Sequence, residues 1–107
     1  MKYSVVVVDD HNLLSQAIGG LVEGFEEFSV LYTCKNGQEL LDKIKKNNKG
    51  RDILFLTQSE TRYISSWLNI LRDDFGFISF APRQTNRIIN YSPINISKQK
   101  LIDNIKK

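Results

Sequence analysis

Val5-Val6-Val7-Val8 followed at once by Asp9-Asp10 leaves this chain few ways to fold. β-Branched side chains are stiff at χ1 and suit a pleated, packed strand. A short apolar run without alternation fits a strand buried on both faces, as in a parallel sheet covered by helices. The two carboxylates then mark the carboxyl edge of that strand. This is the edge at which open α/β sheets bind their ligands.

The rest of the chain alternates between strand and helix. Leu14, Ile18, Leu21 and Phe25 recur at helical spacing, with Ala17 and Val22 beside them, Asn12 or His11 as cap and Gly24 as the stop. Gly19-Gly20 inside this helix costs about 1 kcal/mol per glycine relative to alanine, which close packing on a sheet would explain. Phe28 to Cys34 reads as a strand with Phe28, Val30 and Tyr32 on one face. Asn36-Gly37 turns the chain into a helix from Gln38 to about Asn47, with Leu40, Leu41 and Ile44 inward. Ile53-Leu54-Phe55-Leu56 is a second wholly apolar strand, stopped by Thr57. Ser59 to Asp73 carries the helical stripe Ile64, Trp67, Leu68, Leu71. Phe77 to Ala81 and Ile88 to Tyr91 read as short strands, and Ser97 caps a last helix with Leu101, Ile102 and Ile105.

This alternation predicts a three-layer α/β fold with a mainly parallel sheet, built as a single domain over residues 1–107. One feature departs from a regular alternation. Six residues, Pro82 to Arg87, separate the last two predicted strands. A parallel crossover needs about a dozen or more. The expectation is therefore a hairpin with no helix in that interval. The last strand would run antiparallel, and Ser92 would emerge at the edge opposite the acids.

Composition narrows the function. The chain is 41% hydrophobic and 25% charged, ordinary values for a soluble globular domain. No apolar stretch approaches the roughly 20 residues of a membrane helix. No basic segment, apolar run and cleavage site open the sequence, so a secretory leader is not expected. The single cysteine, Cys34, excludes an internal disulfide and agrees with a cytoplasmic location. With only one histidine, a His/Cys zinc cluster within the chain is excluded too. The net charge is +3, and lysines gather at Lys43, Lys45, Lys46 and Lys49 and again at Lys98, Lys100, Lys106 and Lys107. A nucleic-acid surface is one reading. The solvated polar faces of two helices are the better one, because no stacking aromatics interleave with these lysines. Asp74-Phe75-Gly76 spells a kinase magnesium motif, but the glycine-rich loop and the other kinase segments are missing.

At four places the sequence resembles the receiver domain of bacterial two-component response regulators, of the LuxR/NarL-type subgroup. They are Val5-Val6-Val7-Val8-Asp9-Asp10-His11-Asn12-Leu13-Leu14, Lys35-Asn36-Gly37-Gln38-Glu39-Leu40-Leu41, Arg51-Asp52-Ile53-Leu54-Phe55-Leu56, and Ser92-Pro93 with Ser97-Lys98-Gln99-Lys100-Leu101-Ile102. The resemblance implies a flavodoxin-like (CheY-like) fold. It also implies a chemistry, phosphoryl transfer to an aspartate ending the third strand. The acid pair and that aspartate hold magnesium, and a hydroxyl after the fourth strand and a lysine after the fifth bind the phosphoryl oxygens.

On this chain the acid pair falls on Asp9 and Asp10, and the acceptor position on Thr57. The switch hydroxyl falls on Phe80 or Ser79, and the lysine position on Ser92. Threonine cannot form an acyl phosphate and gives the metal no carboxylate. Thr57-Gln58-Ser59-Glu60 is also a capping box, which gives Thr57 the simpler task of starting a helix. The expectation is a degenerate receiver, not an enzyme. It would act in a phosphorelay through a protein partner, a second copy of the chain among the candidates, with no membrane or nucleic-acid contact. It would need no cofactor, magnesium at Asp9 and Asp10 being the exception to test. The alternatives are a phosphoacceptor relocated to Asp52 or an opening acid, a basic nucleic-acid binder, and a fragment of a longer chain.

Overall fold

The computed structural model describes residues 3–47, 53–58, 62–63, 66–67, 87–91 and 96–106. Among them, β1 (Tyr3–Val8), β2 (Phe28–Cys34), β3 (Ile53–Thr57) and β4 (Arg87–Asn90) form one sheet in the order β2-β1-β3-β4. Every pairing in it is parallel. The helices α1 (Asn12–Glu23), α2 (Gly37–Asn47) and α3 (Lys98–Lys106) complete the described elements.

The four valines are placed as their chemistry demands. All of Val5 to Val8 are buried, and they alternate between the two sides of the sheet. Val6 and Val8 pack with Ile53, Phe55, Cys34 and the α2 residues Leu40 and Ile44. Val5 and Val7 pack with Leu54, Leu56, Phe28, Ile89, the α1 residues Ile18 and Val22, and Leu101 of α3. Helices thus cover both faces of a small α/β domain. β3 is wholly buried, in agreement with a strand lying between two neighbours.

Local signals fix most element ends. Asn36 caps α2, its Oδ1 accepting the Glu39 N–H at 2.8 Å. Ser97 caps α3, its Oγ accepting the Lys100 N–H at 3.2 Å. α1 starts after His11, which makes no side-chain cap bond, and ends at Gly24.

Three expectations need correction. β4 runs parallel to β3, not antiparallel. The hairpin argument rested on pairing residues 88–91 with 77–81, whereas among the described residues β4 pairs with β3. Residues 58–86 give ample length for a parallel crossover of about a dozen residues. The strand expected over 77–81 and the helix expected to be missing after it lie outside the described residues.

The second correction concerns β2. Its register against β1 slips between Val5 and Val6, where Val30 and Tyr32 are the successive partners. Leu31 is the extra residue of a β-bulge. Phe28 and Val30 therefore pack on the α1 side, but Tyr32 and Cys34 on the α2 side. Beside the bulge, the Val30 N–H donates to Glu23 Oε2 at 2.6 Å.

The third is the rotation of α1. Ser15, Ile18, Gly19 and Val22 face the sheet, while Ala17 and Leu21 point outward. The close packing expected at Gly19 is not needed to explain it, since a Cβ there would make only an ordinary 3.6 Å contact with Thr33 Cγ2. A Cβ on Gly20 would meet nothing within 4 Å.

Leu101 ties α3 to the sheet and is 1% exposed. Leu101→Ala should lower the unfolding free energy by about 2–5 kcal/mol, as core leucine truncations do. Denaturant titration followed by circular dichroism measures it.

Candidate functional site

The carboxyl ends of the strands converge on Asp9. Its N–H donates to the Cys34 carbonyl at 2.8 Å, carrying the β1–β2 ladder one residue past Val8. On the other side of the sheet centre, the Tyr91 N–H donates to the Thr57 carbonyl at 3.1 Å and extends the β3–β4 ladder likewise. Asp9 and Tyr91 thus stand on the two flanks of β3. They are two strand spacings apart, roughly 9–10 Å. Tyrosine is long enough to cross that gap. Its hydroxyl donates to Asp9 Oδ2 at 2.6 Å in a bond buried from solvent.

Asp9 Oδ1 is engaged as well. It accepts the His11 N–H at 2.8 Å and lies 3.1 Å from His11 Nδ1. The same Nδ1 is 2.9 Å from Asp10 Oδ1. Carboxylates only accept, so Nδ1 carries a proton and is shared between the two acids. Asp10 and His11 are otherwise open to solvent, their side chains 81% and 68% exposed.

Burial pushes the Asp9 carboxyl up, but the hydrogen bonds from Tyr91 and His11 together outweigh it. Asp9 is held below its ordinary value of 3.8. Burial and the adjacent Asp9 push the Tyr91 hydroxyl the other way, well above its ordinary 10.0. Each group thereby keeps the protonation state that the bond requires. Cys34 is buried behind this edge, and its thiol is pushed up to about 12, chiefly by burial. It is inert in the neutral range.

Beside the acids, a cleft of about 430 Å³ opens between the ends of β1, β2 and β3. Val8, Asp9 and Asp10 line one wall, Lys35, Asn36 and Gly37 a second, and Gln58 and Trp67 the remainder. Gly37 is needed here, because a Cβ at this position would overlap the Trp67 indole.

The sequence-derived site residues meet this geometry unevenly. Asp9 and Asp10 are adjacent, one buried and one exposed. Thr57 ends β3 and is wholly buried, in register with Val8 and Asn90. The residues 59–61 on which its expected capping role depends lie outside the described residues. Phe80, Ser79 and Ser92 lie outside the described residues, as does Asp52. The antiparallel last strand from which Ser92 was placed at the opposite edge is not found: β4 is parallel, and Tyr91 is at the same edge as the acids.

Sequence reasoning missed Tyr91 as a site residue, and it gave His11 a capping or surface role and Trp67 a packing role. The available signal was a tyrosine closing an apolar strand, since a buried phenol generally finds a partner for its hydroxyl.

A cation among these groups would meet Asp9, Asp10 and His11, whose ligand atoms lie within 4.8 Å of one another. The set does not suit magnesium, which wants an octahedron of oxygens. Both Asp9 oxygens already accept hydrogen bonds, Asp10 is tied to the imidazole, the third donor is a nitrogen, and β3 ends in a hydroxyl.

No family model matches the chain, and no curated protein sequence matches it. Among solved structures, the chain resembles one in the crystal structure of the phosphorylated P1 domain of CheA3 in complex with CheY6 from R. sphaeroides. The TM-score is 0.66 with 19% sequence identity, over 98% of this chain and 98% of that one. This is a likeness of fold. No described helix is long and apolar enough to cross a membrane.

Tyr91→Phe should remove about 1–3 kcal/mol, because it leaves a buried carboxylate oxygen without its donor. Thermal or denaturant unfolding at neutral pH checks this. The depressed Asp9 carboxyl adds stability that is complete above pH 3.8 and is lost as pH falls through its lowered value. Asp9→Asn should therefore flatten the acid limb of the stability–pH curve. Gly37→Ala should displace the single tryptophan and shift its emission to the red, with a loss of about 1–3 kcal/mol from overpacking; fluorescence and denaturant titration read both.

Proposed function

We propose that this chain is a degenerate receiver domain of bacterial two-component signalling, acting in the cytoplasm through protein contact without taking up a phosphoryl group. The observation that carries this reading is the filled carboxyl edge of the sheet. A buried threonine ends β3 at the acceptor position, and a tyrosine hydroxyl occupies the buried acid of the pair.

The order β2-β1-β3-β4 supports it. These are the first four places of the doubly wound order 2-1-3-4-5 found in flavodoxin and CheY. Of the two proteins in the complex that resembles this chain, CheY6 is the one such an order fits. The sequence likeness at Val5–Leu14 and Lys35–Leu41 falls on β1 with the start of α1, and on the approach to α2. In that solved complex a phosphorylated domain meets a protein partner. We carry over the contact between signalling proteins and leave out the transfer.

The chemistry supports leaving it out. An acyl phosphate needs a carboxylate nucleophile, and the described end of β3 supplies a hydroxyl. A receiver's metal offsets charge on the transferring group, and the donor set here does not match that ion. Tyr91 further lowers the call on Asp9 for any cation, since the bond between them is short and dry. The chain is therefore read as a binding module and not an enzyme.

Incubation with a small phosphodonor and magnesium tests this directly. Intact-mass measurement should find the unmodified chain, and beryllofluoride with magnesium should leave the Trp67 emission at the adjacent cleft unchanged. A stoichiometric phosphoprotein, or a magnesium-dependent change of that emission, overturns the reading.

A further inference from the structure

β2 ends the sheet among the described residues, with β1 on one side only. Its seven residues, Phe28-Ser29-Val30-Leu31-Tyr32-Thr33-Cys34, include no charge, no proline and no glycine. Uncharged segments of that length and high β-propensity pair readily with copies of themselves. An end strand also presents unpaired N–H and C=O groups on which another strand can build. β2 thus combines the sequence and the position that favour edge-to-edge pairing.

The backbone groups that face outward follow from those that face β1. Glu27 and Cys34 turn their carbonyls to β1, accepting the N–H groups of Tyr3 and Asp9. Backbone groups alternate between the two sides of a strand. Phe28, Val30 and Thr33 therefore face away from β1, with the bulge at Leu31 taking up the odd residue. All three are engaged by their own chain. The Phe28 N–H donates to the Phe25 carbonyl at 3.1 Å. The Val30 N–H donates to Glu23 Oε2 at 2.6 Å, and Lys43 Nζ donates to the Thr33 carbonyl at 2.9 Å. Glu23 belongs to α1 on one face of the sheet and Lys43 to α2 on the other. Lys43 is itself held in place, 3.3 Å from Glu39 Oε1 and 5.3 Å from the centre of the Tyr32 ring.

We propose that Glu23 and Lys43 hold the β2 edge shut, and that without them two copies of the chain join through their β2 strands into one continuous sheet. An incoming strand needs the Val30 N–H and the Thr33 carbonyl for its ladder. Each is already bonded to a charged group, and such a bond is stronger than the neutral one that would replace it. Once the edge is opened, a second copy is the occupant, because antiparallel pairing about a two-fold axis sets this self-pairing segment against its own sequence. The inference is independent of the receiver reading, since it rests on β2 and the two helices beside it.

Sedimentation velocity on the full chain tests it. Glu23 is exposed, Lys43 is half-buried, and neither belongs to the core clusters. Glu23→Ala combined with Lys43→Ala should therefore leave the helical circular dichroism in place. That double variant should self-associate at concentrations roughly tenfold or more below those at which the wild type does. Adding Val30→Pro should return it to monomer. Proline is tolerated on an edge strand where its nitrogen faces out, and there it deletes the donor that pairing needs. Association caused by unfolding would not be reversed in this way. Glu23→Ala alone frees only the donor and should show the same proline-reversible association more weakly. A folded double variant no more associated than the wild type, or association that Val30→Pro leaves in place, overturns the proposal. Where the double variant fails to fold, Glu23→Ala alone decides, and its remaining as monomeric as the wild type overturns the proposal too.

Discussion

The hydrogen bond from Tyr91 to Asp9 ties together parts of the chain that are 82 residues apart, and the carboxyl edge of the sheet depends on it. Without that donor, the buried Asp9 carboxylate would keep only its bonds to His11. Burial would then push it toward the neutral form. With the donor, the charge is held in place by three hydrogen-bonding groups. The bond also closes a bridge over the end of β3, joining strands that do not pair with each other. One interaction therefore sets both the electrostatics of the edge and the placement of β4.

The same bond shows how much of this edge the sequence leaves open. Val5 to Asp10 fixes a buried central strand ending in acids, and nothing in those residues reveals what faces them. The answer lies at Tyr91, and its side of the sheet depends on strand direction. Direction was judged from the short interval between two predicted strands. That judgement fails for β4 because the spacing to residues 77–81 says nothing of its direction relative to a strand much earlier in the chain. β4 pairs with β3, which comes much earlier in the chain. β1, β3, α2 and the cap of α3 were legible because their signals are local: apolar runs, Asn36 before Gly37, Ser97 before the last apolar stripe. The bulge at Leu31 was not legible, since strict alternation in Phe28 to Cys34 gives no sign of a slipped register.

α1 shows where amphipathic patterning stops being decisive. Leu14, Ile18 and Leu21 lie within about 60° of one another around the helix, yet the face that meets the sheet is centred further round. The sheet takes Ile18 and Val22, with Ser15 and Gly19 between them. Ser15 and Gly19 belong to the buried face, which turns it away from Leu21. Leu13 and Leu21 are left outside as a consequence. A reading that places every apolar residue inward cannot anticipate this, because it takes the buried face to be centred on the apolar stripe.

The two regions differ in what they can still bind. At the carboxyl edge the polar groups satisfy one another: the phenol, the imidazole and the backbone N–H absorb Asp9, and Asp10 leans on the imidazole. A ligand there must displace hydrogen bonds already made, and a buried charge left without them costs several kcal/mol. The outer face of α1 holds no such bonds. Covering it removes apolar surface from water at a gain of roughly 25 cal/mol per Å² before association costs. Binding is therefore easier on the helix than at the acids.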